Sequence, residues 1–152
     1  MTQHKVALFV TCLVDMMRPR IGFAAIRALE AAGCAVVVPE GQTCCGQPAL
    51  NSGDTDHAIA LAKQTIVALE PYEAVVVPSG SCGGTIRCHY PELFEHDPAW
   101  LPRAQAVAGK TWEIMAYLDE ICGWKPEGVQ VDAKATYHDS CSGLRELGVK
   151  AQ

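Results

Sequence analysis

The sequence predicts an α/β domain in which a parallel β-sheet carries helices on both faces, built from right-handed βαβ crossovers. Three observations predict it. Short apolar runs at Val6–Val10, Ala35–Val38 and Ala74–Val77 read as strands covered on both sides. Stretches with apolar residues at helical spacing lie between them. Glycines and prolines stand where one pattern gives way to the next.

Val6–Val10 opens the sheet. Residues 19–32 then place Ile21, Ala24, Ala25, Ala28, Leu29 and Ala32 at helical spacing, with Pro19 suited to the first turn and Gly33 to the position past the end. Ala35–Val38 is the second strand. Ser52 or Asp54 caps a long helix running to about Glu70, with Ile59, Leu61, Ala62, Ile66 and Leu69 on its apolar side. Ala74–Val77 is the third strand, followed by a Gly-rich turn and a helix near Ile86–Glu95 that Pro91 interrupts. Residues 97–108 read as irregular or partly helical. Thr111–Cys122 is predicted to be an amphipathic helix with Ile114, Tyr117, Leu118 and Ile121 inward, ended by Gly123. Ala133–Tyr137 is predicted to be a last, short strand.

Composition bounds the function. The 152 residues, 49% hydrophobic and 19% charged, suit one globular domain with a real core. A net charge of −5 argues against nucleic acid, which needs a basic face. No run has the length of a membrane span, and the short apolar start at Val6–Val10 does not make an export signal. A cytoplasmic location is therefore expected, where eight cysteines point to metal or redox chemistry rather than a disulfide framework.

The cysteines carry the strongest signal. Adjacent Cys44 and Cys45 make poor disulfide partners for each other, but two thiolates leaving one turn can reach a common metal centre. Gly46 frees the backbone beside them. Cys12 and Cys82 each follow a predicted strand, as the Cys44–Cys45 pair does, so a parallel sheet would gather all four at its carboxyl edge, where ligands of such sheets bind. A [4Fe–4S] cluster takes four thiolates. The N–H groups of Gly46, Gly83 and Gly84, with helix starts after Cys12 and Cys82, would offset the negative charge. Zinc also takes four thiolates, although its structural sites usually pair ligands as Cys-x₂₋₄-Cys.

The segment Thr136–Arg145 imitates residues 8–13: a strand, a cysteine, then a helix start. Cys141 would correspond to Cys12, so residues 1–132 read as one repeat and 133–152 as the start of a second. A chain holding only that start is expected to self-associate through uncovered apolar surface, or to leave a disordered tail after about Ser142.

The order Cys12, Cys44-Cys45-Gly46, Cys82 and Tyr137-His138-Asp139-Ser140-Cys141 resembles the cysteine-rich CCG-domain family. That family includes the iron–sulfur subunits of bacterial lactate-utilisation systems and of glycolate oxidase, and the B subunit of heterodisulfide reductase. Residues 43–54 with 78–84 are most similar to the lactate-utilisation branch. The resemblance implies a non-catalytic electron-transfer subunit of a multi-subunit oxidase of lactate or a related 2-hydroxy acid, with a [4Fe–4S] cluster on Cys12, Cys44, Cys45 and Cys82 and a further ligand, Cys141, from the second repeat. It also implies partners among the other subunits of a lactate or glycolate oxidase complex, through which peripheral membrane association could arise. One departure stands out: the family closes with Cys-x-x-Cys, whereas Thr85 stands three positions after Cys82 here. That favours a four-cysteine centre over a five-cysteine noncubane one.

Other readings remain beside these. A thiol–disulfide protein would use Cys44 with Cys45, or Cys82 with Cys88, but lacks a Cys-x-x-Cys at a helix start. A structural zinc or interaction module is a third class. Cys88 can be core, a substitute ligand or an exposed thiol. Cys34 and Cys122 read as small buried hydrophobes. His89 suits a surface or capping role, and His138 and Asp139 suit a turn. No paired carboxylates or phosphate-binding loop occur.

Overall fold

Four parallel strands make one sheet in the order β2-β1-β3-β4, formed by β1 (Lys5–Leu8), β2 (Ala35–Val37), β3 (Ala74–Val77) and β4 (Thr111–Glu113). The coordinates are a computed structural model and describe residues 4–128, 130 and 132–150. Val6 pairs with Val36 on one side and with Ala74 on the other, so β1 is central. The chain moves outward from β1 to β2, then crosses back over β1 to β3. The strand order therefore reverses between β1 and β3.

Alternation along the strands sends residues to opposite faces. Ala7, Phe9, Val75 and Val77 pack with Ala62, Ile66 and Leu69 of α4 (Thr55–Leu69) and with Ala104 and Val107 of α7 (Leu101–Gly109). Val6, Leu8 and Val76 face the other way, against Ala25 and Leu29 of α2 (Pro19–Ala31) and against Tyr117 and Leu118. Each of these strand side chains is fully buried, and burial of a Val, Leu or Phe contributes about 1.5–3 kcal/mol. This is the expected parallel sheet with helices on both faces.

Shorter helices occupy the loops: α1 (Cys12–Met17), α3 (Gln47–Asn51), α5 (Gly80–Gly84), α6 (Tyr90–Leu93), α8 (Ile114–Ala116) and α9 (Cys141–Arg145). Pro19 stands at the start of α2, and Asp54 caps α4 by accepting from the His57 N–H. Among the described residues, no helix is long and apolar enough to cross a membrane.

The structure corrects several expectations. The fourth strand is Thr111–Glu113, not Ala133–Tyr137, which pairs with no strand. Thr111 and Trp112 fit a pleated strand, and Glu113 then caps α8 by accepting from the N–H groups of Met115 and Ala116. Of residues 97–108, expected to be irregular or partly helical, those from Leu101 onward are helical. The Gly-rich stretch after Ser79 is helix rather than turn, and it continues through a π-turn at Thr85–His89 into α6. Pro91 lacks the N–H that a regular α-helix requires there, and the wider turn accommodates the loss. A second π-turn, Tyr117–Ile121, rotates the helix face, so Ile121 is exposed where the period predicts it buried. Ile21, set at helical spacing with Ala25 and Leu29, lies on the surface of α2. Residues 141–145, where an unstructured tail was one expectation, form α9 and pack on α5.

Candidate metal centre

The cysteines Cys12, Cys44, Cys45 and Cys82 meet at the carboxyl edge of the sheet, around the β1–β3 reversal where open parallel sheets bind ligands. Three capped or tight turns position them. Thr11 caps α1 by accepting from the Val14 N–H, which makes Cys12 the first helical residue. Thr11 also has φ 76°, the one positive φ among the described non-glycine residues. A β-branched residue in that region costs on the order of 1–3 kcal/mol, so the strand-to-helix turn ahead of Cys12 is held against its local preference. Ser79 caps α5 by accepting from the Cys82 N–H. Gly46, at φ 86°, ends the Cys44–Cys45 turn and starts α3. A Cβ at Gly46 would stand 3.2 Å from the Ala58 carbonyl oxygen, so both conformation and space select glycine.

The four thiols act on one another in pairs. Cys12 Sγ lies 3.6 Å from Cys44 Sγ, and Cys45 and Cys82 shift each other's titration in opposite directions. Cys45 and Cys82 are buried, whereas Cys12 and Cys44 are half-buried. Burial first, then the neighbouring Cys44 thiol, raises Cys12 above the ordinary thiol range. The bond with Cys82, reinforced by burial, raises Cys45. Cys82 moves the opposite way: its thiolate accepts from Cys45 and from the hydroxyls of Ser79 and Ser81, and this outweighs its burial. The Gly46 N–H points at Cys44 Sγ from 3.5 Å, which is how a backbone donor steadies a thiolate.

The surrounding side chains brace the backbone of this edge. Gln42 links the end of β1 to the cysteine turn: its Oε1 accepts from the Val10 N–H at 2.7 Å, and its Nε2 donates to the carbonyls of Leu8 (3.2 Å) and Pro39 (3.0 Å). The fully buried Tyr90 donates its hydroxyl to the Cys45 carbonyl at 2.8 Å. Thr65 donates to the Cys44 carbonyl at 3.3 Å. Sequence reasoning missed Gln42, Thr65 and Tyr90, because side-chain bonds across twenty or more residues leave no local pattern. Ser79 was missed as well, although a serine three residues before a cysteine at a helix start is a readable cap signal.

The remaining predicted residues divide differently. Gly83 and Gly84 turn toward the C-terminal segment: a Cβ on Gly83 would stand 3.1 Å from Leu147 Cδ1, and one on Gly84 would collide with the Glu146 carboxylate. Cys141 begins α9, capped by Ser140, and is exposed. α9 nonetheless packs on α5, the helix that carries Cys82. Cys88 is half-buried, with its thiol 4.0 Å from the Glu146 carbonyl oxygen. His89 lies between Glu92 (2.8 Å) and Glu146 (3.3 Å), an ion-pair role. Cys34 and Cys122, predicted as separate core residues, have their sulfurs 3.7 Å apart.

Among the described residues, no three Cys, His, Asp or Glu side chains stand close enough together to hold one metal ion.

The comparisons agree with the motif order. The model of the cysteine-rich domain family designated CCG matches residues 6–87. The chain is 47% identical over 148 residues to Lactate utilization protein A of Bacillus velezensis, covering 97% of this chain and 62% of that protein. The proteins of the same name from Macrococcus caseolyticus and Bacillus subtilis are 47% and 45% identical, with 95% and 97% of this chain and 58% and 62% of theirs aligned. The chain thus spans about three fifths of the length of these relatives. No solved structure matches it.

Proposed function

The chain belongs to the cysteine-rich CCG domain family, and from that membership we propose that it is the cluster-binding part of an iron–sulfur subunit serving lactate utilisation. The placement of four cysteines after β1, β2 and β3, at the carboxyl edge of the sheet, carries the reading. Cys12, Cys44, Cys45 and Cys82 would hold a [4Fe–4S] cluster, which when bound accepts and returns one electron at a time.

The chain's own residues do the rest. Gly46 donates its N–H to Cys44, and the neighbouring Ser79 and Ser81 hydroxyls help hold the Cys82 thiol below the ordinary range, so ligand charge would be offset by groups of the chain itself. Phe9, Val77 and Ile86, fully buried, belong to the same apolar cluster as Cys45 and Cys82. Burial and sulfur hydrogen bonds are the terms that set a cluster's potential. Gln42, Thr65 and Tyr90 keep the ligand backbone in place. No acid–base or nucleophilic role falls to any of these residues, so the proposed work is electron transfer between partner subunits of a lactate or glycolate oxidase system in the cytoplasm.

Residues 133–152 are proposed as the start of a second repeat, with Cys141 as an accessory ligand. The support is local: Thr11-Cys12 and Ser140-Cys141 each pair a hydroxyl N-cap with a cysteine in the first helical position. The test is anaerobic reconstitution of the chain with iron and sulfide, followed by EPR of the reduced sample. The expected result is a brown protein with a cluster signal. A colourless protein that takes up stoichiometric zinc and no sulfide overturns the proposal in favour of a zinc module.

A further inference from the structure

We infer that Cys34 and Cys122 form a reversible dithiol–disulfide pair, a redox-modification site separate from the four-cysteine edge. The two sulfurs are 3.7 Å apart although 88 residues separate them in sequence. Cys34 precedes β2 and Cys122 ends the π-turn after α8, so the pair sits at the amino edge of the sheet. Its packing neighbours include Leu8, Leu29, Tyr117 and Leu118, on the face opposite Cys45 and Cys82. A four-residue strand, roughly 13 Å at about 3.3 Å per residue, lies between the two edges.

Three features suit this pair to close and reopen. Each cysteine adjoins a left-handed helix-ending glycine, Gly33 at φ 86° and Gly123 at φ 60°, and neither glycine has a neighbour within 4 Å of its Cβ position. The backbone at both positions can therefore adjust by the small amount that bond formation requires. The two thiols differ in access: Cys34 is buried at 2% exposure, whereas Cys122 is half-buried. Burial, with the Cys122 sulfur beside it, pushes Cys34 up to about 12 and keeps it protonated at rest. Finally, an open cleft of about 520 Å³ is lined in part by Ala28, Leu118 and Trp124, which belong to the same apolar cluster as Cys34 and Cys122.

The chemistry balances with a low-molecular-weight disulfide as oxidant. The Cys122 thiolate attacks one sulfur of that disulfide and expels a thiolate, leaving a mixed disulfide on Cys122. Cys34 gives its proton to water and attacks Cys122 Sγ, expelling the second thiol. Two protein thiols lose two protons and two electrons, and the small disulfide is reduced to two thiols. The bond ties the start of β2 to the end of the α8 segment. It encloses residues carrying Cys44, Cys45 and Cys82, so oxidation should stabilise the fold around the site.

The experiment treats the full chain with excess glutathione disulfide, alkylates free thiols and cleaves at glutamate. Cys34 then lies alone among cysteines in residues 31–40 and Cys122 alone in residues 121–127. The expected product is a 31–40/121–127 cross-link that dithiothreitol removes and that C122S and C34A each abolish. Oxidation is also expected to raise Tm on the order of 10 °C, because the closed loop is long, and C122S should lose that rise. Recovery of Cys34 and Cys122 as free thiols, or as separate mixed disulfides, overturns the inference. The wild-type mapping decides it even if a variant fails to fold.

Discussion

Replacing Gln42 by alanine should weaken the fold at the edge that gathers the cysteines. Gln42 makes three bonds to backbone groups, at 2.7, 3.2 and 3.0 Å. A net 0.5–1.5 kcal/mol for each gives roughly 3 kcal/mol in total. Freeing a long side chain from one rotamer returns about 1 kcal/mol, because alanine has no such entropy to lose. The difference, about 2 kcal/mol, corresponds to a fall in Tm of roughly 4–8 °C for a domain of this size. Circular dichroism melts in the presence of a reductant measure it. Gln42→Glu should be at least as harmful, since it exchanges the amide donor for a carboxylate facing the Leu8 and Pro39 carbonyls. A Tm within 1 °C of the parent for Gln42→Ala would refute the bracing role, and a harmless Gln42→Glu would refute the assigned bond directions.

Three further outcomes rest on individual contacts. Tyr90→Phe leaves the buried Cys45 carbonyl without its 2.8 Å donor and should cost about 1–3 kcal/mol in urea unfolding at an unchanged m-value; an unchanged midpoint would contradict it. Gly80→Ala gains about 0.5–1 kcal/mol of helix preference, but its Cβ would collide with Ser140 Oγ and stand 2.9 Å from the Gly143 backbone. Hydrogen exchange should therefore show α9 released from α5, and continued protection of its amides would count against the packing described. His89 is raised above its ordinary 6.5, first by Glu92, against burial, and further by Glu146. A raised histidine contributes its full stability below about pH 6.5 and loses it as pH rises through the higher folded value. His57, raised by Asp54, acts in the same sense, so the comparison is with H89A: Tm should fall less between pH 6 and 8 in that variant, and an identical fall would exclude the His89 contribution.

The sequence revealed those parts of the fold whose patterns repeat over several residues. The strands at 5–8, 35–37 and 74–77, and helices α2 and α4, have clear periods and clear ends, and their order implied the parallel sheet. β4 was hidden because three strand residues run directly into an amphipathic helix, and the helical period absorbs them. Ala133–Tyr137 has strand-like alternation, but alternation does not supply a partner, and β4 occupies the place beside β3. Ile121 was misplaced because a π-turn adds a residue and rotates the helix face beyond it. At the site, the cysteines were legible because each comes after a strand. The braces from Gln42, Thr65 and Tyr90, and the meeting of Cys34 with Cys122, depend on tertiary approach and leave no spacing to read. The room that Gly83 and Gly84 leave for Leu147 and Glu146 also depends on tertiary approach and had no signature in the sequence.

The central claim is that Cys12, Cys44, Cys45 and Cys82 ligate one iron–sulfur centre. Iron and acid-labile sulfide, measured after anaerobic reconstitution of the parent and of single Cys→Ser variants, test it most directly. Equimolar iron and sulfide are expected in the parent, with strong loss at each of the four positions and unchanged loading in Cys122→Ser. Undiminished iron and sulfide in Cys12→Ser and Cys82→Ser, the two ligands at the β1–β3 reversal, would contradict it.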